Sequence, residues 1–260
     1  FEILAHRIIW AFVLVLILII AMRRMDRILP IVRSPKLILR LALATVLLGG
    51  NWFLFIWAIN TDHLLDASLG YYINPLLNVA IGMAFFGEKM RRLQLVAIAM
   101  AVLGVAIQII TFGAVPWVAL ALASSFAIYG AIRKRLPVDS ISGLWLETAL
   151  LAPFMLGYLM FFANSSASDL TANSWHLNLL LVAAGLVTTV PLVCFTAAAQ
   201  RIRYSTLGFF QYIAPSMMFL LAVLAYGEPL EESKLITFII IWGALALYTV
   251  DSVLQRQRNK

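Results

Sequence analysis

Apolar runs of about twenty residues follow one another almost without pause along this chain, each long enough to cross a bilayer as a helix. Nine can be drawn, over 1–22, 37–59, 66–86, 92–112, 114–133, 140–162, 177–199, 205–226 and 233–253. They lack the apolar–polar alternation over about ten residues that barrel strands carry. In hydrocarbon every backbone N–H and C=O needs a partner, and a helix supplies those partners within one segment. The chain is 63% hydrophobic and 12% charged, against about 45–50% and about 25% in soluble proteins. One soluble core could not hide that much apolar surface, so lipid must be the solvent. The expected fold class is all-α, a polytopic transmembrane helix bundle.

The charges say which way it sits. Of the 19 Lys and Arg, six lie between Arg23 and Arg40. Lys89, Arg91 and Arg92 follow, then Arg133, Lys134 and Arg135, then Arg201 and Arg203, then Arg256, Arg258 and Lys260. These segments fall on one side of the nine crossings. The other side has Lys234, and Arg7 lies inside a span. Basic loops face the cytoplasm, so the C-terminus is expected there. The net charge of +7 thus orients the chain in a membrane. It forms no aromatic-interleaved basic face, and nucleic acid is excluded as a partner.

One pattern occurs twice. Residues 72–88 read YINPLLNVAIGMAFFGE and residues 212–228 read YIAPSMMFLLAVLAYGE. Tyr-Ile-x-Pro leads in both copies to Gly-Glu, at Gly87-Glu88 and Gly227-Glu228. An odd number of crossings separates them, so the copies run in opposite directions. Inverted repeats of this kind build secondary transporters, with the substrate between matching broken helices near the midplane. The second copy has five spans and the first has four, and Phe1 already lies in an apolar run. The reading is therefore two inverted five-helix repeats, 1–113 and 114–260, with the first helix of repeat one expected before residue 1.

The openings FEILAHRIIW, YINPLLN with GEKM, TLGFFQYIAP and AYGE together resemble RarD-type permeases. These belong to the drug/metabolite transporter superfamily and have EamA-like halves. The resemblance spans nearly the whole chain. It implies ten helices in the bacterial inner membrane and movement of small metabolites or drugs.

Depth selects candidate residues. At 1.5 Å per residue, Asn74 lies about 12 Å into its span, Tyr212 about 10 Å and Pro215 about 15 Å. Pro75 and Pro215 are expected helix breaks, because neither can donate to the carbonyl four residues earlier, Tyr71 or Gln211. Tyr72, Asn74, Asn78, Gln211 and Tyr212 are the polar groups beside them and the candidate substrate ligands. Asn74 and Asn78 share one helix face. Interhelical hydrogen bonding is the structural alternative. Trp52 and Trp145, with Trp10, Tyr129 and Phe210, offer aromatic walls.

His6, Arg7 and Glu147 are the ionisable residues deepest in spans and the candidates for coupling or gating. Arg7 and Glu147 sit about two turns from opposite surfaces, so a simple salt bridge between them is not expected. Snorkelling is the alternative for Arg7. His6 can titrate near neutral pH, which makes the proton the candidate coupling ion; a histidine with one structural hydrogen bond is the other reading. The Gly-Glu pairs read as helix caps, the carboxylate serving the next helix. Ala119, Ala123, Ala127 and Ala131 read as a helix contact or a homodimer seam.

The leading function is a secondary transporter of small organic molecules working by alternating access. The alternatives are a passive channel and an intramembrane enzyme. The sequence carries no Walker-type loop, metal-spaced histidine pair or nucleophile motif. No catalytic residue, metal ligand or cofactor is therefore assigned. The lone Cys194 excludes an intrachain disulfide.

Overall fold

A computed structural model describes residues 1–61, 63–163, 171, 173–226 and 232–258. Among these, the chain is helical with no strand. The helices are α1 (Glu2–Ala21), α2 (Ile28–Val32), α3 (Pro35–Asn60), α4 (Leu64–Phe86), α5 (Arg92–Phe112), α6 (Trp117–Arg135), α7 (Ser140–Phe161), α8 (Trp175–Arg201), α9 (Tyr204–Gln211), α10 (Ile213–Leu224) and α11 (Glu232–Arg258). Gly87 (φ +62°) and Gly113 (φ +76°) end α4 and α5 in the left-handed conformation that glycine adopts without a Cβ penalty.

Among the described residues, seven helices are long and apolar enough to cross a membrane: α1, α3, α4, α5, α7, α8 and α11. Two of the nine runs drawn from the sequence fall outside this set. Helix α6 ends in Arg133, Lys134 and Arg135, and the 205–226 run is divided at Tyr212 into α9 and α10. The outward faces confirm the solvent. On α3, Leu41, Ala44, Thr45 and Leu48 are buried, while Leu39, Leu43 and Val46 are 72%, 53% and 69% exposed. Both stripes keep helical spacing, and the exposed one is apolar, as lipid requires.

The chain forms two compact units. One holds residues 1–56 and 128–201, the other 57–127 and 202–260. Each therefore takes helices from both sequence halves.

In the first unit, α1 packs on α7 and α8. Its buried residues Leu4, Ala5, Ile8, Ala11, Val15 and Ile19 recur every three to four positions. Gly185 of α8 lies under Trp10, where an added Cβ would stand 2.5 Å from the tryptophan Cβ. Close approach of the two backbones at this crossing requires glycine.

In the second unit, α4 packs on α9, and α5 on α11. A Cβ on Gly208 would meet the Pro75 carbonyl oxygen at 2.6 Å. Val79, Ala97, Ala101, Phe209, Tyr212, Ile241, Ala244 and Tyr248 form one core cluster, with Phe209 stacked on Tyr248 at 3.9 Å between ring centroids. The alanine stripe of α6 is used up inside the chain. Ala119, Ala123 and Ala127 are at most 1% exposed, and Ala119 and Ala123 pack with Leu69 and Ile73 of α4. The helix-contact reading of that stripe holds for Ala119 and Ala123.

Candidate functional site

The two proline motifs meet in the second unit. Asn78, fully buried, donates from Nδ2 to Gln211 Oε1. The Tyr212 hydroxyl donates to the Tyr72 carbonyl at 3.3 Å. Tyr72 packs its ring on Phe238. Asn74 sits one turn before Asn78 on the same face of α4. Its Oδ1 and that of Asn78 are buried without a hydrogen-bond partner among the described residues. In low dielectric an unpaired polar atom is costly, so two such oxygens on one helix face are a notable concentration.

The prolines behave differently from each other. Helix α4 runs uninterrupted through Pro75, so the expected break there is corrected to a missing rung in a continuous ladder. The Pro75 carbonyl itself lies against Gly208. Pro215 does follow a break. The Tyr212 N–H turns back to Phe209 at 3.2 Å, a three-residue step, and helix resumes at Ile213. Tyr212 is 1% exposed, and its hydroxyl is engaged by the Tyr72 backbone as given above. Its role here is to hold the two motifs together. Phe210 is 56% exposed and forms no wall of this site, because it points off the α4-facing side of α9.

Carboxylates fasten the same unit. Glu88 does not serve the next helix. Its Oε1 accepts from Tyr204 N at 2.5 Å and its Oε2 from Ser205 N at 2.9 Å, so it caps the N-terminus of α9 more than a hundred residues downstream. Gly82 leaves room for this, since a Cβ there would lie 2.8 Å from Glu88 Oε2. Gly227 and Glu228 lie outside the described residues. Asp66, 5% exposed, accepts from Ala119 N at 2.9 Å and so caps α6. Arg91 Nε donates to Asp251 at 2.8 Å, tying α5 to α11.

The ionisable candidates fall in the first unit. Arg7 Nε donates to Thr188 Oγ1 at 2.9 Å, and its guanidinium lies 6.0 Å from the Trp52 ring. His6 is buried, 3% exposed. Trp145 stacks on Phe12 at 5.8 Å. Glu147 is fully buried, and its partner is Arg133, at 3.3 Å from Nε to Oε1 with side chains 0% and 1% exposed. The Tyr129 hydroxyl donates to Glu147 Oε2 at 3.1 Å. Arg133 belongs by sequence to the basic cluster at the end of α6. Its side chain instead turns back into the helices.

That triad was missed, and the signal for it is a symmetry about Val138. Tyr129 and Glu147 lie nine positions either side of it, and Arg133 and Gly143 lie five either side. In a tight helical hairpin such residues stand at one level. Gly143 has no side chain where the Arg133 guanidinium rests, and an added Cβ would overlap it. Asp139, in the turn, caps α7 by accepting from Ile141 N and Ser142 N at 3.2 and 3.1 Å. Burial would raise its carboxyl, but hydrogen bonding from Ser142, the Arg24 charge and the Ile141 N–H outweigh that and hold it below 3.8.

No group of three or more metal-ligating side chains occurs among the described residues. The arrangement suits binding of a polar solute in a low-dielectric bundle. A transporter in Vibrio cholerae is 54% identical over 252 residues, which is 97% of this chain and 83% of the relative. Protein RarD of Escherichia coli is 51% identical over 258 residues, 99% of this chain and 87% of that protein. A chloramphenicol-sensitive protein RarD of Pseudomonas aeruginosa is 31% identical over the full chain and 88% of its own length. A solved crystal structure superposes with a TM-score of 0.71 at 22% identity, over 96% of this chain and 87% of that one, which shows a shared fold. The EamA-like transporter family matches residues 1–110 and 114–250, and this chain is a membrane transporter belonging to that family.

Proposed function

We propose that the protein is a secondary transporter of small organic molecules in the bacterial inner membrane, with its C-terminus in the cytoplasm. Alternating access between inverted repeats is the mechanism. An offset of 140 residues carries runs 1–22 and 37–59 onto 141–162 and 177–199. It carries 66–86 and 92–112 onto the segments that become α9 to α11. Each compact unit therefore holds a helix pair together with its image. That supports reading 1–113 and 114–260 as antiparallel twins sharing their helices.

The observation that carries the substrate site is the α4 face with two unpaired buried amide oxygens, Asn74 Oδ1 and Asn78 Oδ1, beside Gln211. A solute with N–H or O–H donors would satisfy them, and Tyr72 gives it an aromatic neighbour. The alternating sequence of binding and release would then exchange these groups between solute and one another. Glu147 and His6 are the groups through which a proton gradient would act, with Arg7 as a gate. The test is flux through purified protein in liposomes, with and without a proton gradient. Asn74→Ala should weaken solute affinity about tenfold, the loss of one buried hydrogen bond's discrimination, while the protein melts within a few degrees of the parent. Intact affinity with lost thermal stability would return Asn74 to packing. An unsaturable leak would favour a channel, and product formation without net movement would favour an enzyme.

A further inference from the structure

We propose that the exposed stripe of α3, with the basic connector that leads into it, binds an anionic phospholipid. Between Arg23 and Arg40 the chain carries six basic side chains and one acid, Asp26. Arg24 is used within the protein, 3.9 Å from Asp139 in the turn between α6 and α7. Arg23, Arg27, Arg33, Lys36 and Arg40 are exposed, and none of them forms an ion pair among the described residues. The first turn of α3 holds no acid.

Lys36, Leu39, Arg40, Leu43 and Val46 follow one another at helical spacing and are all exposed, so they form one stripe. The stripe is basic near Pro35 and apolar beyond Arg40. Helix α3 has 26 residues, about 39 Å, against a hydrocarbon core of about 30 Å. The surplus is about six residues, the length from Pro35 to Arg40. With Asn60 at the far edge of the core, Lys36 and Arg40 stand at the level of the headgroups. Leu43 and Val46 then stand at the level of the acyl chains. The connector combines the same two kinds of surface. Ile28 and Ile31 of α2 are buried. Met25, Leu29 and Val32 are 50%, 52% and 50% exposed, with Arg27 and Arg33 beside them in the chain. Apolar side chains flanked by arginines suit the headgroup boundary, where each finds its own surroundings.

Cations without an internal acid, continued by an apolar stripe, call for a partner that is negative at one end and apolar along its length. A phospholipid with a net negative headgroup has that form. The Arg40 guanidinium presents paired donors to a phosphate while its stem lies on hydrocarbon. Lys36, one turn away, adds a second charge. A free anion would meet these charges and gain nothing from Leu39, Leu43 and Val46. A zwitterionic lipid would meet the stripe and bring its own cation to the basic end.

The test uses the whole chain in dodecyl maltoside micelles at constant pH. It is titrated with dioleoyl phosphatidylglycerol or dioleoyl phosphatidylcholine, and binding is read from the rise in melting temperature. Phosphatidylglycerol should bind at least tenfold more tightly, and its advantage should shrink between about 0.05 M and about 0.5 M salt. Lys36→Gln and Arg40→Gln should each weaken phosphatidylglycerol about fivefold, the value of one basic charge near the surface. Arg92→Gln removes an equal charge from the exposed start of α5 and should leave this affinity unchanged. Equal binding of the two lipids to the parent protein overturns the proposal, even where the variants do not fold. Parental phosphatidylglycerol affinity in the Lys36→Gln/Arg40→Gln double variant overturns it too. An equal loss in Arg92→Gln would assign the effect to net charge and overturn it. Competition by inorganic phosphate at the concentration of the lipid would mark a free-anion site and overturn it as well.

Discussion

Removing the Arg133 guanidinium should damage the protein more than removing both members of its ion pair. Arg133→Met leaves the Glu147 carboxylate fully buried, with Tyr129 as its hydrogen-bond donor among the described residues. Breaking a buried pair this way costs about 3–5 kcal/mol. For a chain of this size that is a fall of roughly 6–10 °C in melting temperature. Arg133→Met with Glu147→Met removes both charges, and buried pairs replaced by apolar groups of similar volume are about neutral. The Tyr129 hydroxyl then loses its acceptor, at about 1–3 kcal/mol, and adding Tyr129→Phe should recover that loss. The assay is thermal unfolding in micelles, read as a double-mutant cycle with coupling of at least about 2 kcal/mol. The reasoning fails if Arg133→Met melts with the parent, or if the double variant falls by the sum of the singles. The folded double variant also tests coupling. Parental gradient-driven transport by it would remove Glu147 from the transport cycle.

Other outcomes follow from single contacts. Gly143→Ala should destabilise by about 1–3 kcal/mol through overpacking against the guanidinium, and the same change on an Arg133→Met background should be nearly silent; melting curves of the four proteins decide it. Glu88→Ala should cost about 1–2 kcal/mol by uncapping α9, visible as faster amide exchange at Tyr204 and Ser205. Gly208→Val should separate α4 from α9 at Pro75 and abolish transport with the protein still inserted, scored by liposome flux. Asp139 contributes stability above its unfolded value near 3.8, and that share is lost as pH falls through its lower folded value. Asp139→Asn should therefore flatten the melting temperature against pH below about pH 4 while keeping the helix cap.

Much of the fold was legible in sequence because lipid imposes a simple rule. Apolar length alone marks the long helices, and α4, α5 and α7 begin or end within two residues of the runs drawn for them. The openings of the two Tyr-Ile-x-Pro motifs do touch, the Tyr212 hydroxyl reaching the Tyr72 carbonyl, while the main packing of α4 is on α9, just ahead of the second motif. The Tyr212 break was harder to place, because a proline removes one donor without saying whether the helix continues. Pro75 and Pro215 share a motif and differ in outcome.

Partners were another matter. Glu88 caps a helix 116 residues away, and Arg133 leaves its basic cluster to meet Glu147. By itself, the amino-acid order determined that this chain lives in a bilayer as helices, because burial of apolar length is a local property of each run. Which polar side chains pair, and which are left unpaired, was decided by the tertiary structure. Hydrogen bonds act over about three ångströms, and only packing brings residues from distant helices that close.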